Sequence, residues 1–223
     1  MSGTALLGGS FNPAHGAHRR ITLFALSALG LDEAWWLVSP GNPLKDGQDM
    51  APLANRFASA TRQARRAPIR VSAMEREFGT RFTIDTLARI LRRWPKRRFV
   101  WLMGADNLAQ FHRWKDWRRI ACMVPIAVIA RPGYDASAFA SPAMVWLGRY
   151  RRSAASLRKP DGWSVPGLVI LRFDPDQRSA TAIRRADPAW ASRADVYALR
   201  DHVTHRKILS HSLSKPAKGA VFS

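Results

Sequence analysis

Two histidines three residues apart, His15 and His18, open a helical pattern directly behind the turn Gly8-Gly9-Ser10-Phe11-Asn12-Pro13. Side chains at i and i+3 of a helix share a face, so the two imidazoles point the same way. Glycines let backbone N–H groups come close to an anion. A helix N-terminus adds unpaired N–H donors and the positive end of the dipole. The combination suits chemistry on phosphates. It is not a Walker-type loop, because the Gly-Lys-Ser/Thr ending is absent, and not a dinucleotide fingerprint, because the GxGxxG spacing is absent. Two alternatives use the same residues: a metal half-site, for which no acidic or cysteine partner lies nearby in sequence, and a capping turn without chemistry.

These residues need elements that hold the turn at one edge of a core. The apolar run Thr4–Gly8 reads as a buried strand and Gly16–Leu29 as a helix closed by Gly30. Further strands are read at 34–39, 69–73, 98–103, 126–130 and 167–173. Further helices are read at 53–66, 83–94, 107–111, 117–121, 179–186 and 194–202. Alternation of strands and helices with short connections argues for an α/β fold, a mainly parallel sheet with helices on both faces. Ligands of such sheets bind at the carboxyl ends of the strands, where the glycine turn falls. Residues 1–204 are read as a single domain. Within it, 135–166 fit poorly and read as an insertion, part helical and part loop, and 179–204 as a helical subregion; the basic tail 205–223 reads as flexible.

A second group of candidates stands about 160 residues downstream, at Arg178-Ser179-Ala180-Thr181-Ala182-Ile183-Arg184. Alone it is an ordinary capped helix start. The pair of stretches, however, resembles the two signatures of the nucleotidyltransferase superfamily, Gly-Thr/Ser-Phe-Asp-Pro-x-His-x-Gly-His and Ile-Ser-Ser-Thr-x-Ile-Arg, in the family's order. Four middle segments, Ser39–Lys45, Phe82–Leu87, Gly104–Trp117 and Ala130–Tyr134, are similar to those of its bacterial nicotinate-nucleotide adenylyltransferase branch. The resemblance spans about residues 4–202 and is poorest over 135–166.

The resemblance implies a Rossmann-like, doubly wound sheet and transfer of AMP from ATP to nicotinate mononucleotide, giving deamido-NAD and pyrophosphate. His15, His18 and Arg184 are then the catalytic candidates. Gly8, Gly9, Ser10, Phe11, Asp106, Ser179 and Thr181 join them around ATP, with Asp106 near the ribose. Lys45, Phe82, Thr83, Trp114 and Arg131 are candidates for the mononucleotide: Trp114 as a stacking platform for the nicotinate ring, backbone N–H groups at Thr83 for its carboxylate, and Lys45 and Arg131 for its phosphate. Magnesium is implied, held mainly by phosphate oxygens. The chain departs from the family pattern at Asn12 (aspartate in the family), Ala17 (glycine) and Ala180 (a hydroxyl residue).

Composition bounds the rest. The formal net charge of +20 on 223 residues suits polyanionic partners. The arginine pairs are dispersed, at 65–66, 92–93, 97–98, 118–119, 151–152 and 184–185, which argues against a nucleic-acid stripe. The alternatives are another adenylyltransferase of the superfamily, acting on nicotinamide mononucleotide or phosphopantetheine, and a non-catalytic nucleic-acid-binding relative. No apolar run approaches a membrane span and no charged leader precedes one, so a cytoplasmic protein is expected. The single cysteine, Cys122, has apolar neighbours and is expected to be a buried structural thiol. The oligomeric state stays open.

Overall fold

Strand residues divide by parity between two cores, which fixes how the layers stack. Ala5 and Leu7, Trp36 and Val38, and Val100 and Leu102 face one core, completed by Ala25, Leu26, Leu29, Phe57 and Ala60. Leu6, Trp35, Leu37, Phe99, Trp101 and Met103 face the other, completed by Ile84, Leu87, Ile90 and Leu108. The two-residue period of a strand produces this split. The computed structural model describes residues 3–41, 50–130, 138–173, 179–192, 196 and 198–208.

Seven strands form one sheet in the order β3-β2-β1-β4-β5-β7-β6, and every pairing is parallel. They are β1 (Gly3–Gly9), β2 (Glu33–Val38), β3 (Ile69–Ser72), β4 (Arg98–Gly104), β5 (Ile126–Ala130), β6 (Arg151–Arg152) and β7 (Leu168–Arg172). The helices that precede β5 are α1 (Gly16–Leu29), α2 (Leu53–Ala64), α3 (Met74–Phe78), α4 (Thr83–Arg93), α5 (Ala105–Gln110) and α6 (Trp117–Ala121). The expected doubly wound α/β fold is present. Chain order reverses between β1 and β4, so the crevice of a doubly wound sheet opens at their carboxyl ends. α1 ends where Gly30 adopts φ 67° and donates its N–H to Leu26 O, a left-handed stop that suits glycine.

Three readings change. The 135–166 stretch is more than helix and loop: it supplies β6 at the sheet edge, and its helix Pro142–Leu147 places Ala143 and Leu147 in the core. The helix read at 194–202 is absent from the described residues. Instead Asp201, 2% exposed, accepts the N–H groups of Val203 and Thr204 at 2.9 Å, a local side-chain turn that competes with helix. Its other oxygen accepts from Ser72 Oγ at 2.8 Å and Ala73 N at 2.7 Å. His202 N donates to Val71 O at 3.0 Å, and Val71 N donates to His202 Nδ1 at 3.3 Å. This loop therefore covers the outer edge of β3, which would otherwise offer free ladder groups. It continues into the tail read as flexible, where Ile208 N donates to Leu199 O at 2.8 Å; residues 209–223 lie outside the described residues. Finally, Cys122 is exposed. It caps the end of α6, whose apolar side is carried by Ile120 and Ala121.

Candidate active site

β1 and β4 run side by side up to Leu7 opposite Leu102, so the turns that follow them open together. Gly8 has a packing reason: a Cβ there would lie 2.9 Å from the Trp101 ring. The chain then turns through Phe11, at φ 47° and 2% exposed. The Phe11 ring stacks on Trp36 at 5.1 Å and meets His18 at 5.0 Å. The aromatic floor under the histidines is thus built from β2 and the turn.

His15 caps α1 with extended backbone, φ −144° and ψ 172°. Its N–H donates to His18 Nδ1 at 3.2 Å, and the two rings lie 4.0 Å apart. An imidazole that accepts at Nδ1 donates from Nε2, so this contact leaves Nε2 as the donor of the His18 ring. Its backbone is held as well: Trp36 Nε1 donates to Thr22 Oγ1 at 2.9 Å, and Thr22 Oγ1 donates to His18 O at 2.7 Å.

The two distant stretches meet. Arg184 Nη1 donates to Asn12 O at 2.6 Å, across 172 positions of chain, and Arg184 Nη2 donates to Thr181 Oγ1 at 3.4 Å. Ser179 caps the helix Ala180–Ala186, accepting from Ala182 N at 3.1 Å. Asn12 itself accepts Ala51 N–H at 3.2 Å through Oδ1, so an uncharged side chain ties this turn to the β2–α2 connection. Ala17 is 6% exposed, its methyl packed away from solvent. Asp106 is exposed in the first turn of α5, next to the end of β4.

The acceptor-side candidates gather on the other flank of the crevice. Trp114 is half-buried and packs edge-on against Phe111 at 5.3 Å and Trp101 at 6.3 Å, so its plane is set by neighbours and not by solvent. Phe82, 39% exposed, precedes α4, and Lys115 Nζ lies 4.9 Å from the centre of its ring. Lys115 also pairs with Asp85 at 3.3 Å, which offsets an acid in the first turn of α4. Thr83 begins α4, where the first N–H groups have no partner within the helix. Lys45 and Arg131 lie outside the described residues.

Two further buried charged groups stand beside the crevice and belong to neither motif. Arg56 is 1% exposed, and burial lowers its pKa to about 10. Glu75 is 9% exposed, and burial raises its pKa to about 7 against hydrogen bonds from Ser39 and Thr86. A signal for Arg56 was present: Leu53, Arg56, Phe57, Ala60 and Ala64 fall on one helical face, and a charge on an apolar face is rarely buried without function or partner.

A family model described as cytidylyltransferase-like matches residues 6–186. A protein of Erythrobacter litoralis (strain HTCC2594), "Probable nicotinate-nucleotide adenylyltransferase", is 67% identical over 205 residues, covering 92% of this chain and 94% of its own. One of the same name from Bradyrhizobium sp. (strain ORS 278) is 49% identical over 187 residues, covering 84% and 97%. Among solved structures, Plasmodium falciparum nicotinic acid mononucleotide adenylyltransferase complexed with NaAD superposes with a TM-score of 0.62 at 14% identity, covering 83% of each chain. Its complex with APC gives 0.61 at the same identity and coverage. At that identity the likeness concerns the fold.

Proposed function

The chain belongs to the cytidylyltransferase-like family, in its branch of nicotinate-nucleotide adenylyltransferases, and on that premise we propose that it transfers AMP from ATP to nicotinate mononucleotide in NAD biosynthesis. Within the chain, the contact of Arg184 with Asn12 carries the reading. It joins the two phosphate-handling stretches into one clamp at the crevice of the sheet.

In the proposed step a phosphate oxygen of nicotinate mononucleotide attacks the α-phosphorus of ATP in line. A new P–O bond forms there, the bond to the bridging oxygen of the β-phosphate breaks, and its electron pair leaves with pyrophosphate. The attacking oxygen is already ionised, so no protein nucleophile is needed. What the protein supplies is alignment of two anions and stabilisation of the charge that moves onto the leaving group. His15, His18, Ser179, Thr181 and Arg184 take the triphosphate side, with Gly8–Phe11 as the turn and Asp106 at the ribose. Phe82, Thr83 and Trp114 take the nicotinate, and Lys45 and Arg131 its mononucleotide phosphate. The N–H groups at the start of α4 favour a carboxylate over an amide, because only the acid brings negative charge to that helix end.

Magnesium would enter with ATP. In this reading the cation is held mainly by phosphate oxygens; among the described residues no three His, Cys, Asp or Glu side chains are grouped to hold a metal ion. No helix among the described residues is long and apolar enough to cross a membrane. A cytoplasmic location goes with the reading, because both substrates are water-soluble nucleotides.

The test is pyrophosphate release from ATP and magnesium with nicotinate mononucleotide or its amide as acceptor. The acid is expected to be turned over with the higher kcat/KM. Turnover of the amide alone would overturn the acceptor assignment, and turnover of neither would overturn the reaction.

A further inference from the structure

Arg56 sits within α2, facing the crevice end of the sheet, and uses four of its five N–H groups on backbone carbonyls. Nε donates to Ala51 O at 2.8 Å, Nη1 to Ser10 O at 2.7 Å and to Ser39 O at 2.6 Å, and Nη2 to Pro40 O at 3.3 Å. These carbonyls belong to three separate pieces of chain: the phosphate turn after β1, the carboxyl end of β2, and the residues leading into α2. The ladder between β1 and β2 brings the first two together as far as its last rung, where Ser39 N donates to Gly9 O at 3.0 Å; beyond that rung, and toward Ala51, no ladder bond holds them. One planar guanidinium specifies their mutual placement, and a lysine, a compact ammonium on a flexible stem, lacks the fork to do so.

The bracket extends to the acceptor side. Ser39 hydrogen-bonds Glu75, which also hydrogen-bonds Thr86, in the first turns of α4. Arg56 therefore stands between the turn read as holding ATP and the helix read as receiving the nicotinate. We propose that Arg56 is a positioning residue for the transfer step, holding the phosphate turn at Ser10 against the carboxyl end of β2 so that the two bound substrates meet in line. The inference rests on the functional reading above. It assigns Arg56 no contact with substrate; it acts through Ser10, Ser39 and Pro40. Its lowered pKa of about 10 leaves it protonated at neutral pH, so all its donors stay in place.

A misplacement of about 1 Å between reacting groups costs on the order of 100-fold in rate, while each substrate keeps its own contacts. Loss of the fork should thus appear in kcat and not in KM. The experiment is steady-state kinetics of the full chain carrying Arg56→Lys, with Glu33→Gln, at the amino end of β2 and so at the opposite edge of the parallel sheet from the crevice, where it pairs with Arg70 and Arg97, as a control for general destabilisation. R56K is expected to lose thirtyfold or more in kcat with both KM values within threefold, while E33Q keeps its kcat. A folded R56K with kcat within threefold of wild type, or with raised KM alone, overturns the proposal. If R56K does not fold, Asn12→Ala cuts the second tie between Ala51 and the phosphate turn with Arg56 in place; an expected tenfold loss in kcat supports the bracket, and an unchanged kcat overturns it. A wild type inactive with nicotinate mononucleotide removes the functional reading and this role together. An active wild type with unaltered variants removes the positioning role alone.

Discussion

Glu75→Gln is expected to stabilise the protein at neutral and alkaline pH and to leave it unchanged in acid. The Glu75 carboxyl is buried beside Ser39 and Thr86, and desolvation raises its pKa from 4.5 to about 7. Between those values the unfolded chain has released the proton that the folded chain still holds. Stability therefore falls as pH rises through this window, and levels off above about pH 7, where both states are ionised. A shift of one unit is worth about 1.4 kcal/mol, so the whole window amounts to about 3 kcal/mol. Glutamine keeps an acceptor and gains donors in the same volume but cannot ionise. The variant should match wild type near pH 4.5 and exceed it by up to about 3 kcal/mol at pH 8. For a chain of this length that is roughly 6–12 °C in Tm. Thermal or urea unfolding of both proteins from pH 4.5 to 8 measures it. Taking the difference removes the other titrating groups, among them His202, whose pKa is lowered first by burial. A difference that stays constant across the window, or that shrinks as pH rises, would refute the burial argument.

Three further outcomes follow from particular contacts. His18→Ala should lower kcat by about 100-fold to 1,000-fold, the range for removing one donor to developing charge, with the urea midpoint near that of wild type; pyrophosphate release with a parallel unfolding curve reads both. Arg184→Lys breaks the fork that spans Asn12 O and Thr181 Oγ1 and should reduce kcat/KM for ATP by roughly 10-fold to 100-fold, which initial rates at varied ATP would show. Asp201→Asn replaces an acceptor of four hydrogen bonds by a side chain with an amide on one end, and should lose about 2 kcal/mol or more in denaturant unfolding; a loss below about 0.5 kcal/mol would mean that the β3 edge is not held by this carboxylate.

β1, β2, β4 and β5 were legible because each is mostly a run of apolar residues buried on both faces, and the pattern survives without knowledge of partners. α1 was legible at both ends, at His15 and at Gly30, because a cap and a left-handed glycine are local events. What was not legible depends on distant chain. The two residues of β6 become a strand only because Leu168 and Val169 lie alongside them. Residues 198–202 carry helix-compatible side chains, but Ser72 and Ala73 bind the Asp201 carboxylate and leave it bonded to the N–H groups just ahead. Cys122 has apolar neighbours in sequence and an exposed position in space, since only alternate sides of a short helix face the core. In the site, His15, His18 and Arg184 were named from motif and spacing. Arg56 and Glu75 were not, because their significance comes from what they are buried against.

The distribution of acids explains how a chain with an excess of cations directs that charge. At the amino end of β2, Glu33 takes both Arg70 and Arg97. Glu77 in α3 takes both Arg93, at the end of α4, and Arg206. These two carboxylates engage four arginines, and the field beyond each pair is reduced. At the carboxyl ends of the strands Arg56 and Arg184 are satisfied differently, by the carbonyl oxygens of Ser10, Ser39, Pro40, Ala51 and Asn12. Carbonyl dipoles complete the hydrogen bonding of a guanidinium without cancelling its unit charge. At an effective dielectric constant near 20, such a charge about 8 Å from an anion is worth about 2 kcal/mol. Replacing a carbonyl by a carboxylate would bind either arginine more firmly and remove that attraction. A site that gathers two phosphate-bearing substrates is therefore better served by arginines held on backbone oxygens than by arginines paired as those of Glu33 and Glu77 are.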